Sequence, residues 1–358
     1  MPFATGPSGP FNATQAHALG LAAFAGELLE SFDALGLGTA PEASSSSSNG
    51  RSTPMNGNDG LRPVREGLES IITKVACPLL AQVRRELQPL LDALEQPPLA
   101  HSPTLKPSLT MTVKSSSPSV TVHPAVNVLV GSMPAYARAL ARLVGLSPIV
   151  HRALASCLIA LHWRAMVALA HRPCIVLPMS TPPGGSIPLP TVSKKLFGGP
   201  TPPGTPSRFL MKLPTSRPPS PPSPAVVDPL VLEAKKVYDL LAALPKPSHG
   251  DALEAVDEGL EAFDALLALM RVRGDPALVP EDVPTLVALP VVLRAAGIAA
   301  GVPALTQLGE GEYHERCLSG FVRAAECGPL IARTVADVLD NGDDARAPLL
   351  EWLRRRAA

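Results

Sequence analysis

The chain has 358 residues, 46% apolar but only 4% aromatic, and its 31 lysines and arginines balance 31 aspartates and glutamates. That length allows two or three domains and ample core, and an apolar share made largely of Ala, Leu and Val fits packed helices. Neutrality conceals segregation. Net charge is −4 over residues 1–95, +12 over 96–227 and −8 over 228–358, and no acid lies between Glu95 and Asp228. The first fifty residues carry no Lys or Arg, which argues against a secretory signal or a mitochondrial presequence. Five widely spaced cysteines without a Cys-x-x-Cys read as reduced thiols of the cytoplasm or nucleus.

In chain order, residues 1–40 hold a first helix. Leu21, Phe24, Leu28, Phe32 and Leu35 recur over 12–36 at spacings of three and four. Residues 41–62, with five serines followed by Asn, Gly and Asp, form a disordered linker. Residues 63–96 form a bundle helix with Ile71, Val75, Leu79, Val83, Leu87, Leu91 and Leu94 as its stripe, kinked or broken at Pro78 and Pro89. A second Pro/Ser-rich segment, 97–122, reads as a disordered insert.

Residues 123–171 supply the central bundle helices, a short one from Pro134 to Val144 and a longer one capped by Ser147-Pro148. The longer helix, 148–171, nearly matches a bilayer in length. However, Arg152, His162 and Arg164 interrupt it in different directions, so it reads as a core helix with its polar tips at the bundle rim. Residues 172–227 hold sixteen prolines between Pro173 and Pro224, which exclude helix and central strand, and form a disordered basic insert.

Residues 228–358 return to helix. Ser248 offers a capping-box start, and Leu253, Val256, Leu260, Phe263, Leu267 and Met270 form a bundle seam at 3-4-3-4-3 spacing. Further helices are expected at 229–244, 284–300, 312–327, 329–340 and 345–356, separated by Gly/Pro punctuation. The fold class is therefore all-α, an irregular Ala/Leu-rich bundle with long Pro/Ser-rich inserts. One composite bundle is preferred to two tethered ones, because helix 148–171 needs partners on every side.

The basic insert carries the functional signal. Thr181, Thr201, Thr205, Ser220 and Ser223 each precede proline in a segment with a charge of +6. Each phosphate adds about −1.5 to −2 charge, so five phosphates add roughly −7.5 to −10 and reverse its sign. Thr205-Pro206-Ser207-Arg208 resembles a site of cyclin-dependent kinases, and Lys194-Lys195-Leu196-Phe197 resembles the basic-x-Leu-apolar motif that docks on cyclins. Pro203 to Arg208 also fits P-x-x-P-x-R, a polyproline II ligand pattern.

Other chemistries fare worse. Twelve cations over 132 residues without interleaved aromatics do not make a nucleic-acid surface. Glu310, Glu312, His314, Glu315 and Cys317 lack the second histidine of a zinc motif and read as a solvated helix start. His151, His162 and His171 read as rim or satisfied core residues, and Arg354 to Arg356 as a helix terminus. No catalytic, metal or cofactor-binding constellation stands out. The expected function is a non-catalytic adaptor or regulatory scaffold. Its partners would be helical proteins, polyproline-binding domains and a proline-directed kinase. The alternative is a peripheral membrane or vesicle-trafficking tether with the insert on anionic lipid.

Overall fold

A computed structural model describes residues 11–35, 37, 61–97, 122–173, 228–248, 250–340 and 346–358. The expected linker and inserts at 41–62, 97–122 and 172–227 fall almost entirely outside the described residues. So do all five Ser/Thr-Pro sites and the motif residues Lys194, Lys195, Leu196, Phe197 and Arg208. The described residues are helical and contain no strand. In order they form α1 (Ala13–Ala34), α2 (Arg62–Asp92), α3 (Pro124–Ala141), α4 (Pro148–His171), α5 (Pro229–Ala242), α6 (Asp251–Arg271), α7 (Thr285–Ala295), α8 (Val302–Thr306), α9 (Glu310–Cys317), α10 (Phe321–Leu339) and α11 (Ala347–Ala357).

The axis of this bundle is α4. Fifteen of its 24 residues are buried, because α2 flanks it on the N-terminal side of the sequence and α5, α6 and α7 on the other. It is the one described helix long and apolar enough to cross a bilayer, and 72% of its most apolar stretch is covered by other helices. A fully buried Leu contributes about 1.5–3 kcal/mol, so Leu154, Leu158, Leu161 and Leu169, each at most 1% exposed, anchor both halves. α3 spans α2 and α5, α1 lies on α2, and α10 packs on α7, α8, α9 and α11. The buried apolar residues of all these helices form one core.

Several local expectations need correction. The α1 stripe is turned round: Leu21, Phe24 and Leu35 are exposed, while Leu19, Ala22, Ala25, Gly26 and Leu29 face the bundle. Close approach decides this. A Cβ on Gly26 would stand 2.8 Å from the backbone oxygen of Leu146, so the small-residue face gives the nearest packing. Gly26→Ala is therefore expected to lower stability by about 1–3 kcal/mol through overpacking, despite alanine's better helix propensity. Gly20→Ala, with nothing within 4 Å, should raise it by up to about 1 kcal/mol. Urea unfolding followed by circular dichroism checks both signs.

Proline was over-read as a terminator. Pro78 and Pro89 are exposed and sit inside an unbroken α2, where carbonyls that lose an N–H partner can turn to water. α3 starts at Pro124, well before Pro134, because His123 caps it. The expected break at Gly328-Pro329 lies instead at Leu318 to Gly320. Gly328 is a buried contact, its Cβ position 3.3 Å from Thr285 of α7, and Pro329 faces solvent. The expected helix 284–300 stops at Ala295 ahead of Gly297, whose φ is 72°, and α8 is a further short helix beyond it.

α6 begins behind Gly250, whose φ is 73° and which provides no side-chain cap, so the Ser248 capping box is not formed. Leu253 is half-buried, and Val256, Leu260, Phe263, Leu267 and Met270 are buried. Gly259, Ala262, Leu266 and Leu269 widen that seam, because α6 meets α4, α5 and α7 together.

Candidate functional site

The flanks of both expected inserts meet at one buried carboxylate. Arg172, the residue after α4, ion-pairs with Glu233 of α5, and both side chains are under 10% exposed. The other oxygen of Glu233 accepts the backbone N–H of His123 at 2.8 Å. The His123 ring in turn accepts the N–H of Ala125 at 3.2 Å and caps α3. The backbone of Gln96 lies within hydrogen-bonding reach of the same ring. Arg294 of α7 donates to the carbonyl of Arg172 at 2.6 Å.

Residues 96 and 123, which bracket the first insert, and 172 and 233, which bracket the second, thus form one polar node. Burial and the charge of Arg172 push the His123 pKa down, against the pull of Glu233. A neutral ring is what the cap requires, because protonation at Nδ1 would remove the acceptor.

A second polar cluster lies at the same C-terminal end of α4, on the chain neighbours of Gln96 and Arg172. His314 Nε2 is 3.2 Å from Glu95. The His171 ring lies 5.7 Å from that of His314 and 5.9 Å from that of Tyr313. Burial drives the His171 pKa down to about 4 and raises that of the Tyr313 hydroxyl. Burial also works against ionised Glu95, but its bond to His314 and the nearby cations leave its pKa below the usual value. No group of three or more metal-ligating side chains occurs among the described residues.

Cys317 is buried beside Cys327, and burial raises its thiol pKa to about 11, which makes it a poor nucleophile. Proton-transfer groups are present, but among the described residues no nucleophile, base and orienting partner stand in hydrogen-bonded sequence. Glu310 and Glu312 occupy the first turn of α9, and Glu312 pairs with Arg316 at 2.8 Å.

The polar residues of α4 separate. Arg152 is exposed, and Arg164 pairs with Asp92. His151 is buried. His162 is not at the rim: it is 1% exposed, and among the described residues its ring makes no well-formed hydrogen bond, although the backbone of Leu241 lies beside it. Burial, reinforced by Lys246, lowers its pKa to about 4. Arg354 to Arg356 close the last turn of α11, and Arg354 reaches Asp340 at 2.8 Å.

Sequence reasoning missed Glu233 and His123. A signal for the first was present: Glu233 stands three residues after Leu230 and four before Val237, in an apolar slot of α5 where a carboxylate needs a partner. Finally, α2, α4, the start of α6 and the turn between α9 and α10 enclose a cleft of about 480 Å³.

No protein-family model, curated protein or solved structure matches the chain.

Proposed function

We propose that this protein is a non-catalytic adaptor or regulatory scaffold of the cytoplasm or nucleus. Its helical frame presents the proline-rich segments 98–121 and 174–227 to a proline-directed kinase and to polyproline-binding domains. One observation carries this reading: the residues bracketing both segments converge on Glu233, through Arg172 and His123. Such a node ties the roots of two long segments to the frame, so that changes within them need not unpack the core. Five phosphates would add about −7.5 to −10 to segment 174–227, whose charge is +5. That reverses its electrostatic preference for partners.

The test is phosphorylation of the full-length protein by a purified proline-directed kinase, read by intact mass and ion-exchange elution. Phosphate should enter at Thr181, Thr201, Thr205, Ser220 and Ser223 while the thermal midpoint of the helices stays put. Binding of SH3 domains through Pro203 to Arg208 should disappear in a Pro203→Ala/Pro206→Ala variant. Absence of both phosphate uptake and polyproline-domain binding would remove the proposal.

A further inference from the structure

We propose that the cleft between α2 and α4 binds a small organic anion with an apolar body, a carboxylate or phosphate monoester on an alkyl or aryl group. Its volume of about 480 Å³ lies within the range of small-molecule sites. The charged rim consists of three guanidiniums, Arg84, Arg152 and Arg164, facing the single carboxylate of Asp251. Asp92 already holds Arg164. Arg84 and Arg152 are exposed, and no ion pair or hydrogen bond from the described residues engages either of them.

Two unneutralised guanidiniums over one hollow build a positive potential that an anion between them would relieve, with charge-assisted hydrogen bonds in addition. Gln88 and Ser156 stand one helical turn beyond Arg84 and Arg152, so each helix offers a cation followed by a polar group.

Beneath this rim the lining is apolar. The Trp163 indole is fixed by its N–H donating to the carbonyl of Leu318 at 2.7 Å, and its ring packs 4.6 Å from Phe321. Ile159 and four alanines complete the floor. The chemistry is a donor-rich edge over a hydrocarbon surface. A peptide would need acceptors for its own backbone N–H groups, and Asp251 is the one charged acceptor in the lining. An acid on a hydrocarbon body needs donors and apolar surface only. From Arg152 to Arg164 the cleft follows twelve residues of α4, about 18 Å.

Isothermal titration calorimetry of the full chain with decyl phosphate and with decanoate, both below micelle-forming concentrations, provides the test. The expected result is one-to-one binding of at least one of them, and the tighter of the two identifies the acid group. Decanol and inorganic phosphate should each bind about tenfold or more weaker, since each lacks one half of the recognition. Arg84→Ala/Arg152→Ala should weaken binding by about tenfold or more. Ala255→Phe, which fills the cleft and leaves both arginines in place, should weaken it similarly. Both arginines are exposed, so their variant should keep the wild-type melting curve. Binding that survives both variants, decanol binding as tightly as the acids, inorganic phosphate doing so, or no binding of either acid would each overturn the assignment.

Discussion

Glu233→Gln is expected to lower the unfolding free energy by about 3–5 kcal/mol, the cost of leaving one member of a buried ion pair without its partner. The substitution keeps the shape and an oxygen for the His123 N–H but removes the charge that Arg172 faces. Against a total stability of about 5–15 kcal/mol for a folded domain, that is a large fraction. Arg172→Met/Glu233→Leu should recover much of it, because apolar groups of similar volume carry no desolvation cost. Recovery should be incomplete, because the His123 N–H then lacks an acceptor, at about 1–3 kcal/mol.

Urea titrations of the three proteins give the comparison, and amide hydrogen exchange at His123 reports the node locally. A Glu233→Gln protein as stable as wild type, with unchanged exchange at His123, would show that the flanks are not tied together there. The role of this node in the adaptor reading would then be lost.

What the sequence revealed, and what it hid, follows from the range of the forces involved. α4 was legible from its length, its apolarity and the Ser147 cap, and α6 from periodic burial along its own axis. The orientation of α1 was not legible. It has two apolar faces, and the bulkier one, with Leu21 and Phe24, lost to the one that lets Gly26 approach the backbone of Leu146. Glycines were read as punctuation where they are contacts: Gly328 meets Thr285, and Gly259 lies against the His162 ring. Prolines were read as kinks or breaks, but on the solvent-facing side of a long helix they leave it continuous, as at Pro78 and Pro329. The Glu233 node joins residues 61 and 110 positions apart, and no local pattern encodes such a pairing.

Acid should loosen the bundle from its centre. His162 and His171 both have folded-state pKa values of about 4, against about 6.5 in an unfolded chain. Below pH 6.5 the unfolded chain therefore takes up protons that the folded one refuses, and stability falls as pH drops towards 4. Below that value both states are protonated and the slope from these groups ends. Each histidine accounts for about 3 kcal/mol over that window.

For His162 the cause is geometric. The ring lies inside α4, opposite Gly259 of α6 and near the carbonyl of Leu241, with Lys246 as the nearby charge opposing its protonation. His162→Leu should remove one proton from the unfolding linkage, flattening the dependence by about 1.4 kcal/mol per pH unit between 6.5 and 4. At pH 7.5 the same variant should be about as stable as wild type, since it replaces a buried ring without well-formed hydrogen bonds by hydrocarbon.

Urea midpoints from pH 4.5 to 7.5, with the His162 pKa measured by NMR, decide the matter. A measured pKa above 6, or an unchanged slope in the variant, would mean that water reaches the centre of α4. A core that rejects protons in this way keeps the full contribution of these histidines at pH values above about 6.5 and loses it progressively below.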